Sequence, residues 1–88
     1  MKLILTIISD NDNEPVSIAL INKGFRVTRV ASTGGFLRKG SSTLFIGVGD
    51  DRVDEAIEVI RNNTTPPSDP KVKRATIFVI NVEHFSQI

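Results

Sequence analysis

The chain has 88 residues, with ten carboxylates against eleven Lys and Arg, one His, and no Cys, Trp or Tyr. That length fits a single domain, residues 1–88, with a core small enough to be marginal alone; without Cys, disulfides and thiolate metal sites are excluded, and association with further copies is the compensation left. A net charge of +1 excludes a strong overall field for nucleic acid or a membrane, and five Phe offer few platforms for stacking the bases of a single strand.

The opening run Lys2 to Ser9 is continuously apolar and rich in Ile, which suits a strand buried on both faces. It lacks the small-residue cleavage pattern of a secretory signal and is too short to cross a bilayer, so the expected setting is cytoplasmic. Asp10 to Pro15 reads as a helix start: Asn or Asp caps free amides, Pro fits the first turn, and Glu14 favours the positive end of the dipole. Val16, Ala19 and Leu20 then point inward, Ile18 and Ile21 widen the apolar stripe, and Gly24 is placed as a left-handed stop.

Phe25 to Ala31 is rich in Val and Thr and predicts a second strand. Ser32 to Ser42 carries Gly34, Gly35 and Gly40 and reads as a loop, followed by a strand over Thr43 to Val48. Asp50 and Asp51 are placed to cap a second helix with Val53, Ala56, Ile57 and Ile60 on one face. Asn62 to Lys73 is a polar loop with three prolines, and Thr76 to Val82 is a last, nearly all-apolar strand. The order β-α-β-β-α-β predicts an α+β, ferredoxin-like sandwich. Two helices cover only one face of its sheet, yet the first and last strands are apolar on both parities. The second face therefore calls for another subunit as its cover.

All ten carboxylates lie outside Lys23 to Gly49, a stretch holding Lys23, Arg26, Arg29, Arg38 and Lys39. This segregation makes a local positive region that attracts an anion. Within it, Gly34-Gly35 lets backbone amides approach a ligand, Phe36 and Leu37 offer apolar surface to a ring, and Ser41, Ser42 and Thr43 supply hydroxyls. Glycines, cations, an aromatic ring and hydroxyls together are what nucleotide binding needs; a solvated hairpin tip is the plain alternative.

Other chemistry is poorly served. An EF-hand loop begun at Asp10 would need Gly where Pro15 stands and Glu where Ile21 stands. An acylphosphatase-type enzyme would bind phosphate after the first strand, where this chain is acidic. His84 has no visible nucleophile partner, and Asp50-Asp51 reads as a helix cap first. With no nucleophile-and-base set and no metal-ligand set, a binding protein is expected rather than an enzyme.

From Gly24 to Val53 the chain resembles the cyclic-di-AMP receptor family of PII-like signal-transduction proteins. The shared residues are Phe25-Arg26, Thr28, Thr33-Gly34-Gly35-Phe36-Leu37-Arg38, Gly40, Gly47-Val48 and Asp50-Asp51-Arg52-Val53, with Ala75-Thr76, Phe78-Val79, Phe85 and Gln87 in the tail. The resemblance implies a PII-like homotrimer that binds cyclic di-AMP, or a related adenine nucleotide, at its subunit junctions, without a cofactor or metal. It implies that Arg26 and Thr28 contact the phosphate and ribose region, that Gly35, Phe36 and Leu37 line the base pocket, that Gly47 gives room, and that Phe78 and Gln87 close the site. Three features depart from the family: Gly24 and Ser41 stand where it usually has Asn, and the Asn62 to Lys73 loop is short. These motivate a second reading, a trimeric interaction module that has lost the nucleotide and keeps a protein partner.

Overall fold

The computed structural model describes residues 1–30 and 40–88. The chain runs through β1 (Lys2–Ser9), α1 (Asp10–Asn22), β2 (Arg26–Val30), β3 (Ser41–Val48), a short 3-10 turn (Asp50–Arg52), α2 (Val53–Asn63) and β4 (Ala75–Asn81). The four strands form one antiparallel sheet in the order β2-β3-β1-β4. This is the ferredoxin-like arrangement expected from the element order.

Alternation assigns the two faces. Ile4, Thr6, Ile8, Ser42, Leu44, Ile46 and Val48 turn toward the helices and are buried. Val16, Leu20, Phe25, Ala56, Val59 and Ile60 meet them to complete the core. The opposite face carries Leu3, Leu5, Ile7 and Phe45, all half-buried, with Phe78 and Ile80 exposed at the β4 end. No helix covers it. Val79, on the helix side of β4, is also 44% exposed, so the far end of that edge strand shows apolar surface on both faces.

The helix termini differ from expectation. Ser9, the last residue of β1, is the N-cap of α1, and its hydroxyl accepts the Asn11 amide at 3.3 Å. Pro15 is then the sixth helical residue, not part of the first turn. Its missing N–H deprives the Asn11 carbonyl of an intrahelical partner, and Asn11 is exposed, where water can serve. Ile18 and Ile21 do not join the inward stripe, being 50% and 57% exposed. The stripe that meets the sheet runs through Val16 and Leu20, and a widened stripe would turn past the sheet's edge.

The end of α1 follows the expectation closely. Gly24 has φ of 87°, its amide donates to the Ile21 carbonyl at 2.9 Å, and the Phe25 amide donates to the Leu20 carbonyl at 3.1 Å. This is a Schellman stop, with Phe25 and Leu20 both in the core. Asp50 and Asp51 do not cap α2 through their side chains. Asp50 instead pairs with the N-terminal amine at 3.0 Å, which holds its carboxyl below the ordinary range. The 3-10 turn intervenes and carries both Asp residues ahead of α2, whose N-cap is Arg52.

Candidate functional site

Register decides which of the candidate residues meet. Arg26 stands opposite Gly47, and Thr28 opposite Phe45, on adjacent β2 and β3. Arg26, Thr28 and Gly47 therefore share the helix-free face at the β2 edge. Arg26 and Thr28 are exposed there. Arg26 Nη1 donates to Gln87 Oε1 at 3.4 Å, a long hydrogen bond that brings the chain's tail beside β2. A Cβ on Gly47 would lie 3.2 Å from the Met1 methyl, so the room left by this glycine is taken up by Met1.

Phe78 belongs to the same face and to the same cross-strand row, through Leu5 and Phe45 to Thr28. Three strand spacings separate its backbone from that of Thr28, roughly 14 Å. One chain thus places Arg26, Thr28, Gly47 and Gln87 together and holds Phe78 on the opposite edge. Ser41 sits at the other end of β3, six residues from Gly47 and so roughly 20 Å along the strand. It lines a separate cavity of about 470 Å³, with Asn11, Asp12, Thr65, Lys73 and Arg74 among its other walls. Gly35, Phe36 and Leu37, with Arg38 and Lys39, lie outside the described residues.

The electrostatics of the β2 edge follow from the sequence. Lys23 and Arg26 are exposed at its start, Arg29 is exposed on the helix side opposite Leu44, in a hollow it shares with Glu14, and the stretch from Lys23 to Gly49 has no carboxylate. An anion placed there meets donors with no competing acid from its own strands. Among the described residues no group of three or more His, Cys, Asp or Glu could hold a metal ion.

Several residues that shape this region carried no signal in isolation. Arg52 binds the end of α1: its Nη2 donates to the Lys23 carbonyl at 2.9 Å, and its guanidinium lies over Phe25. It thereby fixes the entry into β2 one residue before Arg26. At the other end of the sheet, the first turn of α1 holds the start of β3. The Asp10 amide donates to the Gly40 carbonyl at 2.9 Å, and Ser42 Oγ donates to Asp10 Oδ1 at 2.5 Å.

Comparison with known proteins gives the family and the fold. The family model for the cyclic-di-AMP receptor matches residues 1–69. The chain belongs to the cyclic-di-AMP receptor family. It is also similar to a crystal structure of a functionally unknown protein from Pediococcus pentosaceus ATCC 25745, with 33% identity over 99% of this chain and 96% of that one and a TM-score of 0.77. The family is one of signalling receptors for a cyclic dinucleotide, and among the described residues no helix is long and apolar enough to cross a membrane. The matched span includes every β2 and β3 residue of the candidate site, whereas Phe78 and Gln87 lie beyond it.

Proposed function

We propose that this chain is a cyclic di-AMP receptor that works as a cytoplasmic homotrimer, binding one ligand at each subunit junction and carrying out no catalysis. The observation that carries the reading is the grouping of Arg26, Thr28 and Gly47 on one face of two adjacent strands that carry no carboxylate of their own, in a member of this family. Arg26 supplies a charged fork to a phosphate, and Thr28 a hydroxyl two residues along the same face. Gly35, Phe36 and Leu37 supply amides and apolar contact to the base.

The separation of Phe78 from Thr28 supports a junction site. A second subunit can bring its own Phe78 edge to the β2 edge of the first, which a single chain does not do. The apolar helix-free face supports the same association, because Leu3, Leu5, Phe45, Phe78 and Ile80 need cover. The complete lack of Cys suits a reducing compartment. Signalling follows if the ligand binds one arrangement of the chain more tightly than another, with a protein partner reading the difference.

Isothermal titration with cyclic di-AMP, beside light scattering, tests the proposal. Saturable binding of one ligand per chain, on a particle of three times 9.7 kDa, is expected. No heat at high micromolar ligand would sink the receptor reading. The alternative of a trimeric module without a nucleotide draws on the short Asn62 to Lys73 loop and on Gly24 and Ser41, neither of which offers an adenine edge the paired donor and acceptor of Asn. A trimer that ignores cyclic di-AMP would favour it.

A further inference from the structure

We propose that the first turn of α1 is a relay that ties the position of Ser41 to the start of the α2–β4 connection. The inference rests on the receptor reading only in giving Ser41 a ligand to sense; the tie itself is a property of the free chain.

Ser41 is held from both sides by one helical turn. Before it, the Gly40 carbonyl accepts the Asp10 amide at 2.9 Å, with Gly40 at φ of 84°. After it, Ser42 Oγ donates to Asp10 Oδ1 at 2.5 Å and accepts Asn13 Nδ2 at 3.3 Å. Asn13 Oδ1 in turn accepts Ser17 Oγ at 3.1 Å, one turn along the helix. Ser42 and Asn13 are 1% and 6% exposed, so no water replaces these bonds cheaply.

The same turn grips a second segment. Asp12, 4% exposed, accepts both the backbone amide of Thr65 at 3.1 Å and its hydroxyl at 2.9 Å through a single oxygen, Oδ1. Thr65 is the second residue after α2, where the chain leaves toward β4. Asp10, Asp12 and Asn13 lie within one turn whose geometry the backbone fixes. A displacement of Ser41 that shifts Asp10 and Asn13 therefore shifts Asp12, and with it the two bonds on Thr65. Ser41 and Thr65 also line one cavity, together with Lys73 and Arg74 from the same connection. Ser41 and the loop after α2 are thus joined by three side chains of α1.

The test is residue-resolved amide hydrogen exchange on the full chain without ligand. Ser42→Ala is expected to accelerate exchange of the Thr65 amide several-fold and of the amides through Arg74, while β1 amides such as Ile4 keep their rates. Reciprocally, Thr65→Val is expected to accelerate the Ser41 and Ser42 amides, and Thr65→Ser, which keeps the hydroxyl, to restore them. Acceleration confined to the mutated side would overturn the relay. Should Ser42→Ala loosen the whole fold, which faster β1 exchange would reveal, the Thr65 pair decides alone, since Thr65 is exposed. A cyclic di-AMP titration of Thr65→Val adds the functional arm: several-fold weaker binding is expected. Failure of the wild-type chain to bind would overturn the receptor reading and leave the exchange result to judge the relay.

Discussion

The guanidinium of Arg52 lies over the ring of Phe25, 4.1 Å from its centroid, while its Nη2 holds the Lys23 carbonyl and its Nε holds Glu55 Oε1, both at 2.9 Å. One side chain thus joins the start of α2 to the last turn of α1, where a cation also suits the negative end of the helix dipole. It acts immediately upstream of Arg26 and so positions the β2 edge.

The first prediction concerns that joint. The Arg52 hydrogen bond holds the Glu55 carboxyl below its ordinary value of 4.5, against a smaller opposing effect of desolvation. A depressed carboxyl stabilises the fold fully above its unfolded value, and the contribution is lost as pH falls through the folded one. Arg52→Ala should raise the Glu55 midpoint in an NMR titration toward the ordinary value and lower the thermal midpoint at neutral pH. Arg52→Lys should recover only part, because an ammonium cannot serve the Lys23 carbonyl, Glu55 and the ring with one planar fork. An unmoved Glu55 titration would show the pair to be open in solution.

A second prediction follows from Thr6. Its side chain is fully buried on the helix side of β1, and Oγ1 has no hydrogen-bond partner among the described residues. Thr6→Val keeps the shape and removes an unpaired polar atom, so it should stabilise the chain by about 1 kcal/mol. Urea unfolding should show a higher midpoint with an unchanged slope. A lower midpoint would mean that the hydroxyl has a partner in solution.

Much of the fold was legible because each signal was local. Apolar runs gave the strands, and Gly24 after Ile21-Asn22-Lys23 gave the helix stop. Arg26 and Thr28 were paired only through the family resemblance, and the register of β2 against β3 puts them on one face. What was not legible joins residues far apart in the chain: Gln87 beside Arg26, Met1 over Gly47, Asp12 beneath Thr65, Arg52 against Phe25. Ile18 and Ile21 misled for the opposite reason. Their periodicity is helical, but only the sheet's width decides how much of an apolar stripe is buried. Ser9 was hidden as a cap because it also closes a strand.

Gly24 carries a third prediction. Its φ of 87° is one that Gly adopts freely and Asn better than most other residues, and a Cβ there would come no nearer than 4.0 Å to Arg52 Nη1. Gly24→Ala should cost about 1 kcal/mol of stability, and Gly24→Asn less. Asn is also the usual family residue here and at Ser41. Combined Gly24→Asn and Ser41→Asn should therefore tighten cyclic di-AMP binding measured by titration. Unchanged affinity in a folded double variant would show that neither position touches the base.

The last prediction addresses the site itself. Arg26 is exposed and bonds only weakly to Gln87 in the free chain, so it is available to an incoming phosphate. Arg26→Ala should weaken cyclic di-AMP binding by roughly 1–3 kcal/mol, the worth of a charged hydrogen bond, without changing the mass of the assembly. If Gln87 closes over the ligand while Arg26 grips it, Gln87→Ala should weaken binding too, and the double variant should lose less than the two single losses together. Light scattering beside each titration separates the roles. A dissociation constant that does not move in Arg26→Ala would place the ligand away from the β2 edge. Loss of the assembly would instead make Arg26 an interface residue, with its effect on binding indirect.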